Sequence, residues 1–255
     1  MKYITKFTDH AAYSAAESSL VEPNVSYCVN ENEVHYKPIP SAPQHDYVEI
    51  GGIKWATMNI GANSITDTGL YFQWGDTQGY TASQIGNGSG QKPFDDIDWI
   101  DYRFTPNGID WDDEPDYGIT KYTNADGLIT LQLSDDAVNA AWGGNWRMPT
   151  QAEFQALGTA TTSAWTADYE GSGVAGLVLT SNADSSKKLF FPAVGVAMNG
   201  SVENVGSIGC YWSSSLYSGD VYGAYLLRFS IQNADCVDES RICGFLVRGV
   251  FDEGL

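Results

Sequence analysis

The residues of this chain that are equipped for covalent or metal chemistry are few and poorly placed for it. Its three histidines, His10, His35 and His45, all precede the stretch that reads as the main domain. A nucleophile and a histidine base therefore cannot meet within that domain. Paired carboxylates stay open as a catalytic device, because acidic residues occur throughout. Asp95, Asp96, Asp98 and Asp101 cluster, and carboxylates suit hard cations such as calcium. They match no EF-hand spacing, and a solvated acidic loop accounts for them. Gly86-Asn87-Gly88-Ser89-Gly90 lacks the Gly-Lys-Ser/Thr end of a phosphate loop and reads as a flexible turn. The residues predict no catalytic group, no metal and no cofactor.

The cysteines depart from even scatter. Of the 4 in the chain, Cys210, Cys236 and Cys243 fall close together near the end, where uniform scatter would put fewer than one. A disulfide or a metal site would explain such clustering, although zinc motifs usually begin with a short Cys pair that is missing here.

Bulk composition narrows the partners. The 255 residues suffice for one large domain with an appendage, or for two small ones. At 43% hydrophobic and 13% aromatic the chain can bury a sizeable core, and its 27 glycines and 8 tryptophans suggest loops pinned by large anchors. The formal net charge of −19 repels phosphate backbones and anionic membranes, so neither nucleic-acid binding nor membrane insertion is expected. No stretch approaches the roughly 18 apolar residues of a membrane span. The opening Met1-Lys2-Tyr3-Ile4-Thr5-Lys6-Phe7 lacks the apolar run of a signal peptide.

The elements that must position any site read as α+β. Residues 1–45 form a small β-rich unit, with strands at Tyr3–Phe7 and Val25–Val29 and a hairpin return at Val34–Tyr36. A short helix over Ala11–Leu20 and a linker stiffened by Pro38, Pro40 and Pro43 complete it. The main domain spans 46–255. Val48, Ile50, Ile53 and Trp55 flank a Gly51-Gly52 turn, and Gly69–Gly75 reads as a buried strand. Residues 76–127 read as a long insertion held by Trp99, Trp111 and Tyr117. Two helices follow. The first is capped by Ser134 and closed by Gly143; the second opens on a Thr150/Glu153 capping box and stops at Gly158. Strands at Leu177–Leu179 and Leu189–Phe191 come next.

Three segments carry a resemblance. Ile53-Lys54-Trp55-Ala56-Thr57-Met58-Asn59, Tyr71-Phe72-Gln73-Trp74-Gly75, and Trp142 through Trp146-Arg147-Met148-Pro149-Thr150 to Phe154 look like a C-type lectin-like domain of the Bacteroides type. Tyr211-Trp212-Ser213-Ser214-Ser215 and Gly244-Phe245-Leu246-Val247-Arg248 resemble the variable proteins of diversity-generating retroelements. The likeness runs over about 46–250. It implies a C-type lectin-like fold, with two helices and antiparallel strands, that tolerates change on one ligand-facing surface. Such proteins are diversified at adenines, typically in asparagine codons, and this randomisation is a third explanation for the clustered cysteines. Calcium-dependent sugar lectins of this fold use Glu-Pro-Asn or Gln-Pro-Asp with a Trp-Asn-Asp strand. Glu22-Pro23-Asn24 lies outside the domain, and Glu114-Pro115-Asp116 lacks that partner. Formylglycine-generating oxidases share the fold and the Arg-x-Pro-Thr-x-x-Glu segment at Arg147–Glu153, but their Trp-Glu-Trp and Arg-Gly-Gly-Ser-Trp stretches are missing.

The resemblance places a variable region at about 209–250. Alternation divides it: Tyr225, Leu227, Phe229 and Ile231 face the core, and Leu226 faces solvent. Trp212, Ser213, Ser214, Ala224, Tyr225, Leu227, Phe229, Gly244, Phe245, Val247 and Arg248 are then scaffold. The expected diversified, ligand-binding positions are Cys210, Leu216, Ser218, Gly219, Asp220, Val221, Tyr222, Leu226, Ser230, Cys236, Asp238, Ser240, Ile242 and Cys243. Leu216, Val221, Tyr222, Leu226 and Ile242 would form an exposed apolar contact patch. The expected protein is a non-enzymatic binder of a protein or glycan on a target cell. It would be carried on a bacteriophage tail or a bacterial surface through its N-terminal unit. A non-variable adhesin or fimbrial-tip domain is the alternative, and the fold-sharing oxidase the third.

Overall fold

The computed structural model describes residues 45–94, 99–109, 112 and 116–254, together with three strands in the N-terminal part. The chain divides into two compact units, Met1–Ala42 and Pro43–Leu255. In the first, β1 (Ile4–Phe7) runs parallel to β2 (Ser26–Val29), which pairs antiparallel with β3 (Glu33–His35). The expected helix at Ala11–Leu20 and the proline linker lie outside the described residues.

The second unit is built of mostly antiparallel sheets with two α-helices among the described residues. β4 (Tyr47–Ile50) and β5 (Ile53–Asn59) form a hairpin. Its turn uses Gly51 and Gly52, with φ of +63° and +80°. Both central residues of that turn type need positive φ, which glycine supplies without a Cβ penalty. β5 also pairs with β15 (Arg248–Phe251), so an early strand and the last strand lie side by side. β15 in turn pairs with β6 (Trp146–Arg147). A meander of β7 (Thr161–Thr166), β8 (Gly176–Ser181) and β9 (Lys188–Pro192) follows, then the small hairpin of β10 (Val196–Met198) and β11 (Ser201–Glu203). The region of interest is a second meander, β12 (Ile208–Leu216), β13 (Gly223–Ser230) and β14 (Ala234–Ser240).

Local chemistry sets the helices, with two differences from expectation. α1 (Ala137–Trp142) is capped by Asp136, two residues later than Ser134 would place it. A 3-10 turn takes up Leu133–Asp135, and the Asp136 carboxylate accepts from Val138 N (2.8 Å), Asn139 N (3.0 Å) and Met148 N (2.7 Å). A carboxylate that satisfies three backbone donors outcompetes a serine hydroxyl for the cap. α2 (Gln151–Ala160) has the expected Thr150/Glu153 capping box but runs past Gly158 to Ala160. Of Gly69–Gly75, Tyr71–Gly75 are buried, and the segment joins the fold by single bridges, Tyr71 to Tyr80 and Phe72 to Phe245, before turning at Trp74-Gly75, instead of forming a regular ladder.

Two apolar clusters fill this unit, and the β12–β13–β14 sheet lies between them. One gathers Trp74, Trp99, Tyr122, Trp212, Leu226 and Phe245; the other Trp55, Phe154, Leu157, Tyr211, Leu227 and Phe229. Register explains the division. Tyr211 pairs with Leu227 and Trp212 with Leu226, so neighbouring residues of each strand enter opposite cores. The insertion supplies much of the first cluster: Trp99, Tyr102, Phe104, Ile119 and Tyr122 are all buried. Trp111 lies outside the described residues.

Candidate functional site

The burial of β13 overturns part of the sequence reading. Leu226, expected on the solvent face, is 1% exposed, and Val221 and Ile242 are 3% and 0% exposed. Cys210 and Cys243 are also buried. These five positions cannot touch a ligand, and the expected apolar contact patch does not exist as a surface. Tyr222 is half-buried, 4.8 Å from the Tyr117 ring and 5.6 Å from Trp99, and it anchors the insertion. Leu216 is half-buried against the same cluster. The alternation rule failed because it assumes one wet face, whereas insertion aromatics cover the face that should have been wet. Ile231 is corrected in the other direction: β13 ends at Ser230, and Ile231 sits on the following turn, 71% exposed.

Every expected scaffold residue except the half-buried Tyr225 is buried. Their hydrogen bonds fix the backbone. The Trp212 indole donates to Phe72 O (2.9 Å), and the Trp74 indole donates to Ser213 O (2.8 Å). Ser213 Oγ donates to Tyr225 O (2.7 Å). Arg248 is fully buried: its Nε and Nη2 donate to Asn59 Oδ1 (3.0 and 2.7 Å), its Nη1 to Ala56 O and Thr57 O, and its Nη2 to Phe190 O (3.1 Å). Its guanidinium also lies 4.5 Å from the Phe191 ring centre. Burial holds the Arg248 pKa down at about 10. Arg241, equally buried, donates to the carbonyls of Lys121 and Tyr122 and lies over Trp74, tying the insertion to the end of β14.

Five expected positions do come together, at the β12–β13 tip. Ser218, Gly219 and Asp220 form the exposed turn. In the ladder, Gly223 pairs with Ser240 and Tyr225 with Asp238, which brings those two β14 positions alongside. Asp220 Oδ1 accepts from Tyr222 N (2.9 Å) and Gly223 N (3.0 Å), an Asx-type closure of the turn. Ser218 Oγ and Tyr225 Oη lie 2.9 Å apart, and Tyr217 meets Tyr225 edge to face at 5.3 Å. Tyr217 and Tyr225 were missed as contact candidates. The available signal was two tyrosines bracketing a Ser-Gly-Asp turn, residues that combine rigid area with a polar tip. Ser230 lies at the other end of the meander, and Cys236 pairs with Leu227 at mid-strand, two residues from Asp238.

The chemistry offered is recognition by hydroxyls, carboxylates and tyrosine faces. Burial, with a contribution from Asp235, pushes the Cys236 thiol up to about 11, and burial pushes Cys210 up to about 12, so neither forms a thiolate nucleophile near neutral pH. His45 stacks on Trp142 at 4.0 Å between centroids. Asp95, Asp96, Asp98, Glu114 and Pro115 lie outside the described residues. Among the described residues no group of three or more His, Cys, Asp or Glu is disposed to hold a metal ion, and no helix is long and apolar enough to cross a membrane. No protein family, curated protein or solved structure matches the chain.

Proposed function

We propose that the chain is a non-enzymatic ligand-binding protein whose contact surface is the β12–β13 tip with the adjoining end of β14. Its core contacts are Tyr217, Ser218, Gly219, Asp220, Tyr225, Asp238 and Ser240. The observation that carries this reading is the contrast between frame and tip. The backbone is held by fully buried Trp212 and Arg248, and the tip presents short polar side chains around two half-buried tyrosines. Outward side chains on such a frame change at little folding cost, about 0.5 kcal/mol or less.

The resemblance refines the proposal to a C-type lectin-like domain of the retroelement-diversified kind. The pairing of β5 with β15, the Arg147–Glu153 capping segment and the two helices fit that fold. The ligand would be a protein or glycan on a target cell, and the carrier a phage tail or a bacterial surface held through residues 1–45. The acidic charge of −19 supports a partner other than nucleic acid.

A display library randomised at Ser218, Asp238 and Ser240 tests the surface, with a second library at Leu226, Val221 and Ile242 as control. The tip library is expected to stay folded and to yield binders to unrelated proteins, while the control library loses folded display. Equal losses in both, or no binders from the tip, would overturn the reading. The retroelement refinement is tested in the source genome. A near-copy of the 3′ coding region, differing at adenines and lying beside a reverse transcriptase gene, is expected; its absence leaves a non-variable adhesin.

A further inference from the structure

β14 ends its sheet. β13 lies on one side, and among the described residues no strand pairs with its other edge. Alternate residues of an antiparallel edge turn N–H and C=O outward, and such unpaired groups accept an added strand. The strand carries Asp235, Asp238 and Glu239 and no Lys or Arg. Two copies meeting edge to edge would set these carboxylates against one another, within chains that each carry −19. A segment of opposite charge has no such penalty.

A second feature adjoins the edge. A trough of about 420 Å³ runs between α2 and β14. Its floor is the apolar group Phe154, Leu157, Leu177, Leu179 and Leu227, its strand-side wall is Ala234, Asp235 and Cys236, and Thr159, Thr161 and Ser163 add polar lining. Gln155 and Gly158 form the exposed opposite lip. Charge on an edge strand by itself only discourages aggregation. A trough with an apolar floor and partly polar walls beside that edge adds a place for one side chain of an incoming strand, and in strand addition the ladder gives affinity while such pockets give selectivity.

We infer that β14 takes up an extended, lysine- or arginine-bearing protein segment as an added strand, and that this segment lowers an apolar side chain into the trough. The inference rests on the reading of the chain as a binding protein, and it names a partner class for the outer edge of the meander, whose far end adjoins the tip.

The test uses the full chain and a fluorescent peptide of alternating Lys and Leu, followed by anisotropy. Three control peptides carry backbone N-methyl groups on the pairing edge, Glu in place of Lys, or Gly in place of Leu. The parent peptide is expected to bind saturably and to slow amide exchange in β14. Each control should bind weaker by about tenfold or more, the equivalent of at least one lost hydrogen bond or apolar contact. Gly158→Leu places a side chain at the lip, where a Cβ meets no atom within 4 Å. It should weaken the parent peptide without lowering the unfolding midpoint. No saturable binding, equal binding of the N-methylated peptide, or an unchanged affinity in Gly158→Leu would overturn the inference. Equal binding of a flexible polylysine would do the same, by reducing the effect to charge. Failure here leaves the tip libraries unaffected, so the two readings fail separately.

Discussion

Leu226 lies directly opposite Trp212 in the β12–β13 ladder, and both side chains are sealed in the same apolar cluster. The pair belongs to the frame. Leu226→Ala should therefore cost about 2–5 kcal/mol, the range for a leucine deleted from a packed core. Urea unfolding checks it. A cost below about 0.5 kcal/mol would mean that the side chain faces water after all.

Arg248 is the strongest single tie in that frame. Replacing it with methionine keeps much of the volume but leaves Asn59 Oδ1 and the carbonyls of Ala56, Thr57 and Phe190 without these donors. The expected loss is about 3 kcal/mol or more, because buried acceptors are stranded. Arg248→Lys should recover only part of it, since one ammonium cannot reproduce a planar fork that reaches four residues. Full recovery by lysine would show that charge, not geometry, is what matters there.

The tip should behave in the opposite way. Ser218→Ala and Asp238→Ala are expected to shift unfolding by about 0.5 kcal/mol or less. Asp220 is the exception, because its carboxylate closes the turn onto Tyr222 N and Gly223 N. Asp220→Ala should cost about 1 kcal/mol, and Asp220→Asn, which keeps an acceptor oxygen, should cost less. Equal effects of the two Asp220 variants would remove the turn argument.

These contrasts mark how far the sequence could be read. Local signals were legible: the Gly51-Gly52 turn, the Thr150/Glu153 cap and the strands around Leu177 and Phe190 need only neighbouring residues to be understood. The scaffold residues Trp212, Phe229 and Arg248 were also legible. What the pattern hid was the covering of one face of β13 by Trp99, Phe104 and Tyr122, which arrive from more than a hundred residues upstream. Leu226 next to Leu227 was the available hint, since two adjacent leucines fit a strand buried on both faces better than one with a wet side. The Ser134 cap was misplaced for a related reason. Asp136 also serves Met148 N, a contact made only once the chain returns.

The insertion depends on Asp135 for its seat. This carboxylate is 2% exposed, pairs with Arg103 at 2.7 Å and with Lys121, and accepts from Tyr122 Oη at 2.6 Å. Burial pulls its pKa upward, but the hydrogen bonds from Lys121 and Tyr122 and the Arg103 charge outweigh it and leave the carboxyl below its ordinary value. Asp135→Asn should speed amide exchange across residues 99–109 and 116–131 while the β7–β9 meander stays protected. Uniform acceleration through both regions would instead mean that Asp135 supports the whole unit.

Two other carboxylates should give stability profiles of opposite slope. Burial pushes Asp136 up to about 6, against the pull of the Asn139, Met148 and Val138 N–H groups. Between its ordinary 3.8 and about 6 the native state holds the extra proton, so its contribution to stability falls as pH rises through that window. Glu153 is the reverse case. Burial raises it, but Arg147, at 2.7 and 2.8 Å, and Thr150 N outweigh burial and hold it below the ordinary 4.5. Its stabilisation is present above that value and is lost as pH falls through the lowered one. The stability gap between the native chain and Asp136→Asn should therefore narrow from pH 4 to pH 7, and the gap to Glu153→Gln should widen over the acid range. Urea titrations at several pH values read both slopes on the same protein. A gap for Asp136→Asn that widens toward pH 7 would mean that its backbone donors, not its burial, govern that carboxylate.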